Sequence, residues 1–308
     1  MGHRTIRNHC LSAFAALAAL LLPAQAQAWG FYAHRVTAEI AEANLRPETR
    51  AEIARLLEAA PLLGTPDCAL DSLADASVWA DCVRRDRDRW GYTAQWHYKT
   101  APICEEYSAF ANCPGGACVN GQIERAMTVL SRRNLPDNVR LEALAWLVHF
   151  TGDVHMPLHS GDKDDRGGND RETDYGIVPS LNLHWIWDGP MAERAITSAQ
   201  PALVRRYDSA ERAALAGGTP ADWGRESWQL SRELVYPTAF DTDDPCAGDL
   251  PGKTALTQED IVAQLPALRR RVQQAGLRMA DLLDEALGPA QASERGVRSF
   301  RAPPRGGD

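Results

Sequence analysis

The sequence predicts an all-α fold, a single mainly helical domain with disulfides and few short strands. Apolar residues recur at helical spacing in five segments, and alternating strand-like runs are scarce. The 308 residues fit one large domain or two small ones, and no Pro- or Gly-rich linker divides them. One helical domain is therefore the simplest organisation.

The N-terminal residues 1–28 are predicted to be a secretory signal peptide. They begin with a basic stretch, continue with an apolar run over residues 11–22, and end in an A-x-A pattern typical of cleavage after Ala28. The apolar run is shorter than the ~18 residues expected of a membrane-spanning helix, so a retained anchor is the less favoured alternative. Cleavage would give an exported chain that starts at Trp29.

Helices are predicted wherever apolar side chains share one helical face. The last of them opens with a capping box formed by Thr257 and Asp260, and Gly288 closes it. Pro266 is expected to kink or split this helix. The predicted helices cover residues 36–43, 53–57, 121–133, 138–150 and 257–287.

Two stretches are predicted to lack helices. Residues 161–182 are polar and rich in glycine and read as a loop. Its aspartates do not form an EF-hand, because Arg166 occupies a position that needs a calcium ligand. Residues 289–308 are rich in Pro, Gly, Arg and Ser and are predicted to be a disordered tail. The predicted domain therefore spans residues 29–288.

Charge and cysteine content restrict the chemistry. A net charge of −8 argues against a protein that binds nucleic acid through a basic patch. If the chain handles phosphates, bound metal would have to supply positive charge. Cys10 lies in the predicted signal, and the remaining six cysteines favour disulfides over zinc thiolates, since no C-x2-C pair exists. The pairing stays open, although Cys113 and Cys118 could close a small loop.

Histidine and aspartate recur at a spacing that suits zinc. His149 and Asp153 are four residues apart, so a helix places both on one face, and His159 follows closely. His184 and Asp188 repeat the spacing. One such pair also occurs as a surface hydrogen bond, but two pairs with His159 between them favour a metal site.

Other candidate ligands give weaker signals. Asp81 and His97 each lie near a tryptophan and could equally be polar residues beside a buried ring. His34 lies five residues after the predicted new N-terminus. There Trp29 could offer its free amine and its carbonyl oxygen to a metal, or serve only as an apolar anchor.

Together these motifs resemble those of the S1/P1 nuclease family, and the resemblance spans most of the chain after residue 28. The resemblance implies a helical fold of the zinc phospholipase C and P1 nuclease type that holds three Zn²⁺ ions. One ion would take Asp81, His97, His149 and Asp153; a second would take His159, His184 and Asp188; a third would take Trp29 and His34, with Asp153 as a bridge to the first. The matching segments are Trp29 to His34, Ala76 to Asp81, Trp96 to Tyr98, Gly152 to His159, Gly167 to Asn169 and Asn182 to Asp188.

The resemblance also implies an activity. It is that of an endonuclease that hydrolyses single-stranded DNA and RNA to 5′-phosphate products, with 3′-nucleotidase activity as a further option. The enzyme would be a secreted or periplasmic monomer without a membrane anchor after signal cleavage. Asp81 would orient the attacking water, and Arg84 would hydrogen-bond the phosphoryl oxygens. A surface arginine without such a role is the alternative for Arg84.

Substrate contacts are implied in the same way. Tyr98 would stack on an unpaired base, and Gly168 and Asn169 would contact the base edge. An Asn in a Gly-rich loop is otherwise usually a turn residue. Thr100 stands where family members often carry an acid, so the family's base preference does not carry over.

Two other functions compete with the nuclease. A bacterial zinc phospholipase C resembles the same design, but there the first His lies farther from the Trp and a Glu replaces Asp188. A non-enzymatic zinc-binding protein would have a site closed by ligands, whereas a catalytic site keeps open positions.

Overall fold

The computed structural model describes residues 29–109 and 111–289. Within these residues the chain is mainly helical, with a few short strands, so the predicted fold class is confirmed. The predicted signal peptide, and the predicted tail from residue 290 onward, lie outside the described residues.

Helices form most of the domain, numbered here in chain order. A π-helical turn over Ser231–Val235 joins α10 to α11, and four 3₁₀ segments cover Ala60–Leu63, Gly91–His97, Pro114–Gly116 and Pro157–His159. The α-helices are α1 Phe31–Asn44, α2 Pro47–Leu57, α3 Leu73–Val83, α4 Arg87–Trp90, α5 Val119–Leu130, α6 Asp137–Asp153, α7 Leu183–Asp188, α8 Pro190–Thr197, α9 Ser209–Leu215, α10 Pro220–Leu230, α11 Tyr236–Phe240 and α12 Gln258–Leu287.

All five predicted helices are present as α1, α2, α5, α6 and α12. The capping box of Thr257 and Asp260 opens α12 as predicted. Pro266 lies inside α12 but does not split it, since the helix runs unbroken to Leu287. A proline removes only one backbone donor, and the buried face along the rest of this long helix outweighs that loss.

The prediction of a loop over residues 161–182 is wrong in part. Strands β3 (Glu172–Tyr175) and β4 (Val178–Asn182) form an antiparallel hairpin, and β5 (Lys253–Leu256) pairs parallel to β3. In β3 only Thr173 is buried, so the hairpin has almost no apolar alternation for a sequence pattern to reveal. A second small sheet joins β1 (Ala101–Pro102) to β2 (Gly161–Asp162).

The apolar core has two clusters, and the chain passes from one to the other at the C-terminal end of α6. Val154 belongs to the cluster built on α3, α5 and α6, whereas Met156 belongs to the cluster built on α7, α8 and α12. Helix α6 is buried on nearly every side from Leu141 onward. Polar residues at its end are therefore enclosed by apolar packing from both clusters.

Three disulfides join the six cysteines that follow the predicted signal. They pair Cys68 with Cys82, Cys104 with Cys246, and Cys113 with Cys118. The predicted disulfides, including the small loop at Cys113, are thus present. None of the helices in the described part of the chain is long and apolar enough to cross a membrane.

Candidate metal centre

Polar side chains from six helical segments converge where the two apolar clusters meet. Each predicted ligand with a metal-binding side chain is buried. They are His34 on α1, Asp81 on α3, His97 at the end of a 3₁₀ segment, His149 and Asp153 on α6, His159 in the next 3₁₀ segment, and His184 and Asp188 on α7.

Helix α1 reaches the site because α6 carries a glycine where the two helices meet. A Cβ atom at Gly152 would lie 2.6 Å from Nδ1 of His34. Any larger residue would push α1 away from Asp153. Trp29 is fully buried just before α1, with its ring centroid 6.4 Å from that of His34.

The first group of side chains surrounds one oxygen of Asp153. Nδ1 of His97 and Nε2 of His149 lie 2.9 Å apart, and each lies 3.1 Å from Oδ2 of Asp153. Oδ1 of Asp81 lies 3.9 Å from His97 and 4.0 Å from His149. These four residues are the predicted set for one ion.

The other oxygen of Asp153 faces a second group. Nε2 of His34 lies 3.3 Å from Oδ1 of Asp153. His34, His149 and Asp153 offer atoms close enough to one another to hold an ion. Asp153 thus lies between two groups, as expected of a bridging carboxylate.

A third group lies at the far end of the site. Nε2 of His184 is 3.0 Å, and Nε2 of His159 is 3.8 Å, from Oδ2 of Asp188. The rings of His159 and His184 stack with centroids 5.1 Å apart. These three residues are again a predicted set.

Backbone carbonyls fix the orientation of three imidazoles. Nδ1–H of His149 donates to Ser77 O at 2.6 Å, that of His159 to His97 O at 3.0 Å, and that of His184 to Gly167 O at 2.8 Å. Since a carbonyl can only accept, each ring presents Nδ1–H to it and turns Nε2 toward the other candidate ligands. Nε2 is therefore the atom that would bind a metal in place of a proton.

The donor set fits a metal ion because several buried atoms lack a hydrogen bond within the described part of the chain. Both oxygens of Asp188, Oδ2 of Asp81, Oδ1 of Asp153 and Nε2 of His34 are buried without one. Such atoms are costly unless something else satisfies them. Imidazole nitrogen with carboxylate oxygen is the donor chemistry that zinc accepts.

Charge at the site points in the same direction. Burial raises the pKa of Asp153, but the neighbouring His149 and His159 outweigh burial and hold this pKa well below its usual value. Burial is also the main reason why the pKa of His97 falls to about 4. The pKa of His159 rises to about 10, because Asp153 and Asp188 outweigh its burial. The carboxylates therefore attract positive charge into an enclosed space.

A cleft of about 540 Å³ opens over this centre. His97, His159 and His184 are among its lining residues, so the cleft reaches the candidate ligands. The Arg84 side chain also lines the cleft, and its Nη2 lies 2.9 Å from Oδ1 of Asp81. Tyr98 lies at the rim with 43% of its surface exposed.

The two predicted substrate contacts in the glycine-rich loop, Asn169 and Gly168, differ in their position relative to the cleft. Asn169 lines the cleft, but its Nδ2 donates to Arg166 O at 2.9 Å, as a turn residue would. Gly167 lines the cleft, whereas Gly168 turns its N–H toward Asp165 Oδ1 at 2.8 Å. Gly167 has φ +62, and a Cβ there would lie 2.2 Å from Leu158 O, so only glycine fits.

Sequence reasoning missed the residues that hold this loop. Oδ1 of Asp162 accepts the N–H of Gly167 at 2.7 Å. Asp165 accepts Tyr236 Oη–H at 2.6 Å and Arg171 Nε–H at 2.8 Å. The only sequence signal was a run of acids ahead of two glycines, which is common in ordinary turns.

The fold and the site define a mainly helical protein that carries candidate metal-binding groups on the floor of a cleft. The S1/P1 Nuclease family model matches residues 29–288, and the chain belongs to that family. It is therefore a nuclease, an enzyme that hydrolyses phosphodiesters, as the resemblance implied.

Curated relatives share most of their length with this chain. Endonuclease 4 of Arabidopsis thaliana is 28% identical, with 83% of this chain and 88% of the relative covered. Nuclease S1 of Aspergillus oryzae is 24% identical, with 87% and 94% covered. Nuclease P1 of Penicillium citrinum is 25% identical, with 84% and 98% covered.

Proposed function

We propose that this chain is a secreted zinc endonuclease that cuts single-stranded DNA and RNA and leaves 5′-phosphate ends. The observation that carries the proposal is the arrangement of three ligand groups under one cleft, with Arg84 beside them. The chain as a whole is acidic, so ions bound by these groups would supply the positive charge that attracts a phosphate to the cleft.

Three zinc ions are proposed, one for each group. Asp81, His97, His149 and Asp153 would hold the first, and His159, His184 and Asp188 would hold the second. His34 would hold the third together with the amine and carbonyl of Trp29, and Asp153 would be shared between this group and the first. Since Trp29 has a free amine only after cleavage behind Ala28, removal of the signal would complete the site.

Zinc supplies Lewis acidity and lowers the pKa of a bound water toward ~7. The residues of the chain then have two tasks. Asp81 has a second carboxylate oxygen without a hydrogen bond among the described residues, and this oxygen can accept a proton from the attacking water and orient it. Arg84 can donate from its guanidinium to the phosphoryl oxygens as their charge grows.

Selectivity for single strands follows from the depth of the centre. The candidate ligands are buried, so a phosphate must enter the cleft to reach them. An unpaired nucleotide can turn its base onto the exposed ring of Tyr98, while a paired base cannot leave its stack without cost. Asn169, which lines the cleft, would contact the base edge, whereas Gly168 keeps its N–H on Asp165 and would only shape the loop. The same pocket would admit a terminal 3′-phosphate.

The disulfides support export. Three disulfides persist in an oxidising compartment, which fits secretion or the periplasm. Membership of a nuclease family removes both rival functions, the phospholipase C and the non-enzymatic zinc protein.

The test is an incubation of the exported form with a single-stranded oligonucleotide, with and without chelator. We expect chelator-sensitive cleavage with 5′-phosphate and 3′-hydroxyl ends, and slower cleavage of the matching duplex. A sample shown to start at Trp29 and to hold about three zinc ions that leaves the oligonucleotide intact would rule the proposal out.

A further inference from the structure

An aromatic and basic surface adjoins the cleft but plays no part in the site described above. We call it the Tyr92 surface. Its members are Tyr92, Trp96 and Arg125, which contact one another through Trp96, and the exposed Arg87, five residues before Tyr92 in the chain. Tyr92 is 64% exposed, and its ring meets the Trp96 ring edge-on at 5.2 Å between centroids. The guanidinium carbon of Arg125 lies 5.5 Å from the centre of the Trp96 ring.

Folding accounts for the packing of Trp96 but not for the exposed ring of Tyr92 or for the charges of Arg87 and Arg125. An exposed Tyr92 gains little from burial, so its ring is available to a ligand. Among the described residues the side chains of Arg87 and Arg125 form neither a hydrogen bond nor an ion pair. The segment from residue 84 to residue 98 holds four arginines and two aspartates in a chain whose net charge is −8. This surface is thus locally basic on an acidic protein.

The surface is continuous with the cleft along the chain. The segment starts at Arg84 and ends at His97 and Tyr98, which all line the cleft. Tyr92 and Tyr98 are joined by the 3₁₀ segment Gly91–His97, which rises about 2 Å per residue and so separates them by ~12 Å.

Packing beneath the surface holds it in a fixed place relative to the centre. The Trp96 ring meets the Trp146 ring at 5.5 Å, Trp146 stacks on Phe150 at 5.3 Å, and Phe150 meets His97 at 5.2 Å. An unbroken run of rings therefore connects Tyr92 to a candidate zinc ligand. A nucleic-acid strand bound at the Tyr92 surface would therefore be held in a fixed position relative to the metal centre.

We propose that the Tyr92 surface binds the single strand beyond the scissile phosphate, with a base stacked on Tyr92 and backbone phosphates paired with Arg87 and Arg125. This inference rests on the proposed function and assigns a second binding region to the same single-stranded substrate. Stacking on an aromatic ring tolerates any base, and arginines beside it follow the backbone, which is how single strands are bound without sequence preference.

The first test compares substrates of two lengths. A dinucleotide fills the cleft only, whereas an oligonucleotide of about 12 residues also reaches the surface. We expect Tyr92→Ala to raise KM for the long substrate roughly fivefold or more and to leave the dinucleotide KM unchanged. Tyr92→Phe keeps the ring and should keep the normal KM for both.

The second test isolates the charges. Binding of a single strand loses affinity with salt at a slope of about −0.7 for each phosphate contact. The double variant Arg87→Gln/Arg125→Gln should therefore flatten the slope by about 1.4 for the long substrate. Arg206→Gln is the control, because Arg206 is exposed and lies away from the centre. Its neighbour Tyr207 donates its N–H to Asn44, at the opposite end of α1 from His34.

The outcomes separate this inference from the proposed function. An unchanged KM and salt slope for the long substrate overturn the proposed role of the Tyr92 surface, even if the dinucleotide is cleaved normally. An equal rise in KM for both substrates also overturns it, since the effect would then lie in the cleft. Wild-type protein that cleaves neither substrate overturns the proposed function itself.

Discussion

The two sides of the candidate metal centre are built in different ways. On the Asp153 side, His34 and His149 lie on the long helices α1 and α6, and both are completely buried. On the Asp188 side, His184 lies on the six-residue helix α7 and lines the cleft. One side is fixed by helix packing, whereas the other depends on its loop.

The loop on the Asp188 side is held by hydrogen bonds rather than by apolar contacts. Gly167 O orients His184, Asp162 holds Gly167, and Tyr236 holds the neighbouring Asp165. Polar networks of this kind keep a single geometry only while every member is satisfied. The comparison therefore separates an Asp153 side, positioned by packed helices, from an Asp188 side, positioned by a hydrogen-bonded loop that lines the cleft.

The largest expected effect is that of Asp153→Asn, because Asp153 lies between two ligand groups. We expect loss of about two of the proposed zinc ions and loss of measurable cleavage, whereas Asp188→Asn should lose about one ion. Metal content per folded protein and cleavage rate are the measurements. Asp243→Asn, at an exposed position, should change neither. Equal metal loss in the Asp153 and Asp188 variants would remove the proposed bridge.

The next effect is that of Arg84→Gln, which lies beside Asp81 and lines the cleft. Loss of a preorganised donor to the transition state costs roughly 10²- to 10³-fold in kcat. We expect kcat to fall by that amount with KM and zinc content nearly unchanged. A variant that instead raises KM with normal kcat would place Arg84 in ground-state binding.

The sequence predicts one ligand pair on each side of this centre. His149 with Asp153, and His184 with Asp188, are four residues apart, and a helix turns such spacing directly into proximity. Long helices such as α12 are equally readable, since many residues repeat one pattern. Local signals of this kind are sufficient for the ligand pairs.

Contacts between distant residues are not readable in this way. Asp165 and Tyr236 are separated by 71 residues, and each alone is an ordinary loop acid and an ordinary tyrosine. The ring contact of Trp96 with Trp146 likewise depends on how helices pack. The bracing of the loop and the Tyr92 surface therefore emerge only from the fold.

Tyr236→Phe tests the loop on the Asp188 side, with a smaller expected effect than that of Arg84→Gln. The variant removes the hydroxyl that donates to Asp165. Loss of a hydrogen bond that supports the ligands from outside typically lowers metal affinity or activity 10- to 100-fold, and we expect about a tenfold fall in kcat/KM. Metal bound on the Asp153 side should remain. Tyr207→Phe removes a comparable hydroxyl bond, to Leu203 O at 2.9 Å, and should have no effect on cleavage. If both variants behave alike, the loop does not need this brace.

The smallest expected effect is that of Tyr98→Ala at the rim. The ring is partly exposed, so its stacking should contribute at the low end of the usual range, about 1 kcal/mol, or roughly fivefold in KM. Because Tyr98 lies within the cleft, dinucleotide and long oligonucleotide should lose affinity together, unlike the length-dependent effect of Tyr92→Ala. Tyr98→Phe should restore KM if the ring alone matters. An unchanged KM in Tyr98→Ala would remove the proposed stacking of a base on this ring, and the base contacts at the cleft would then rest on the glycine-rich loop alone.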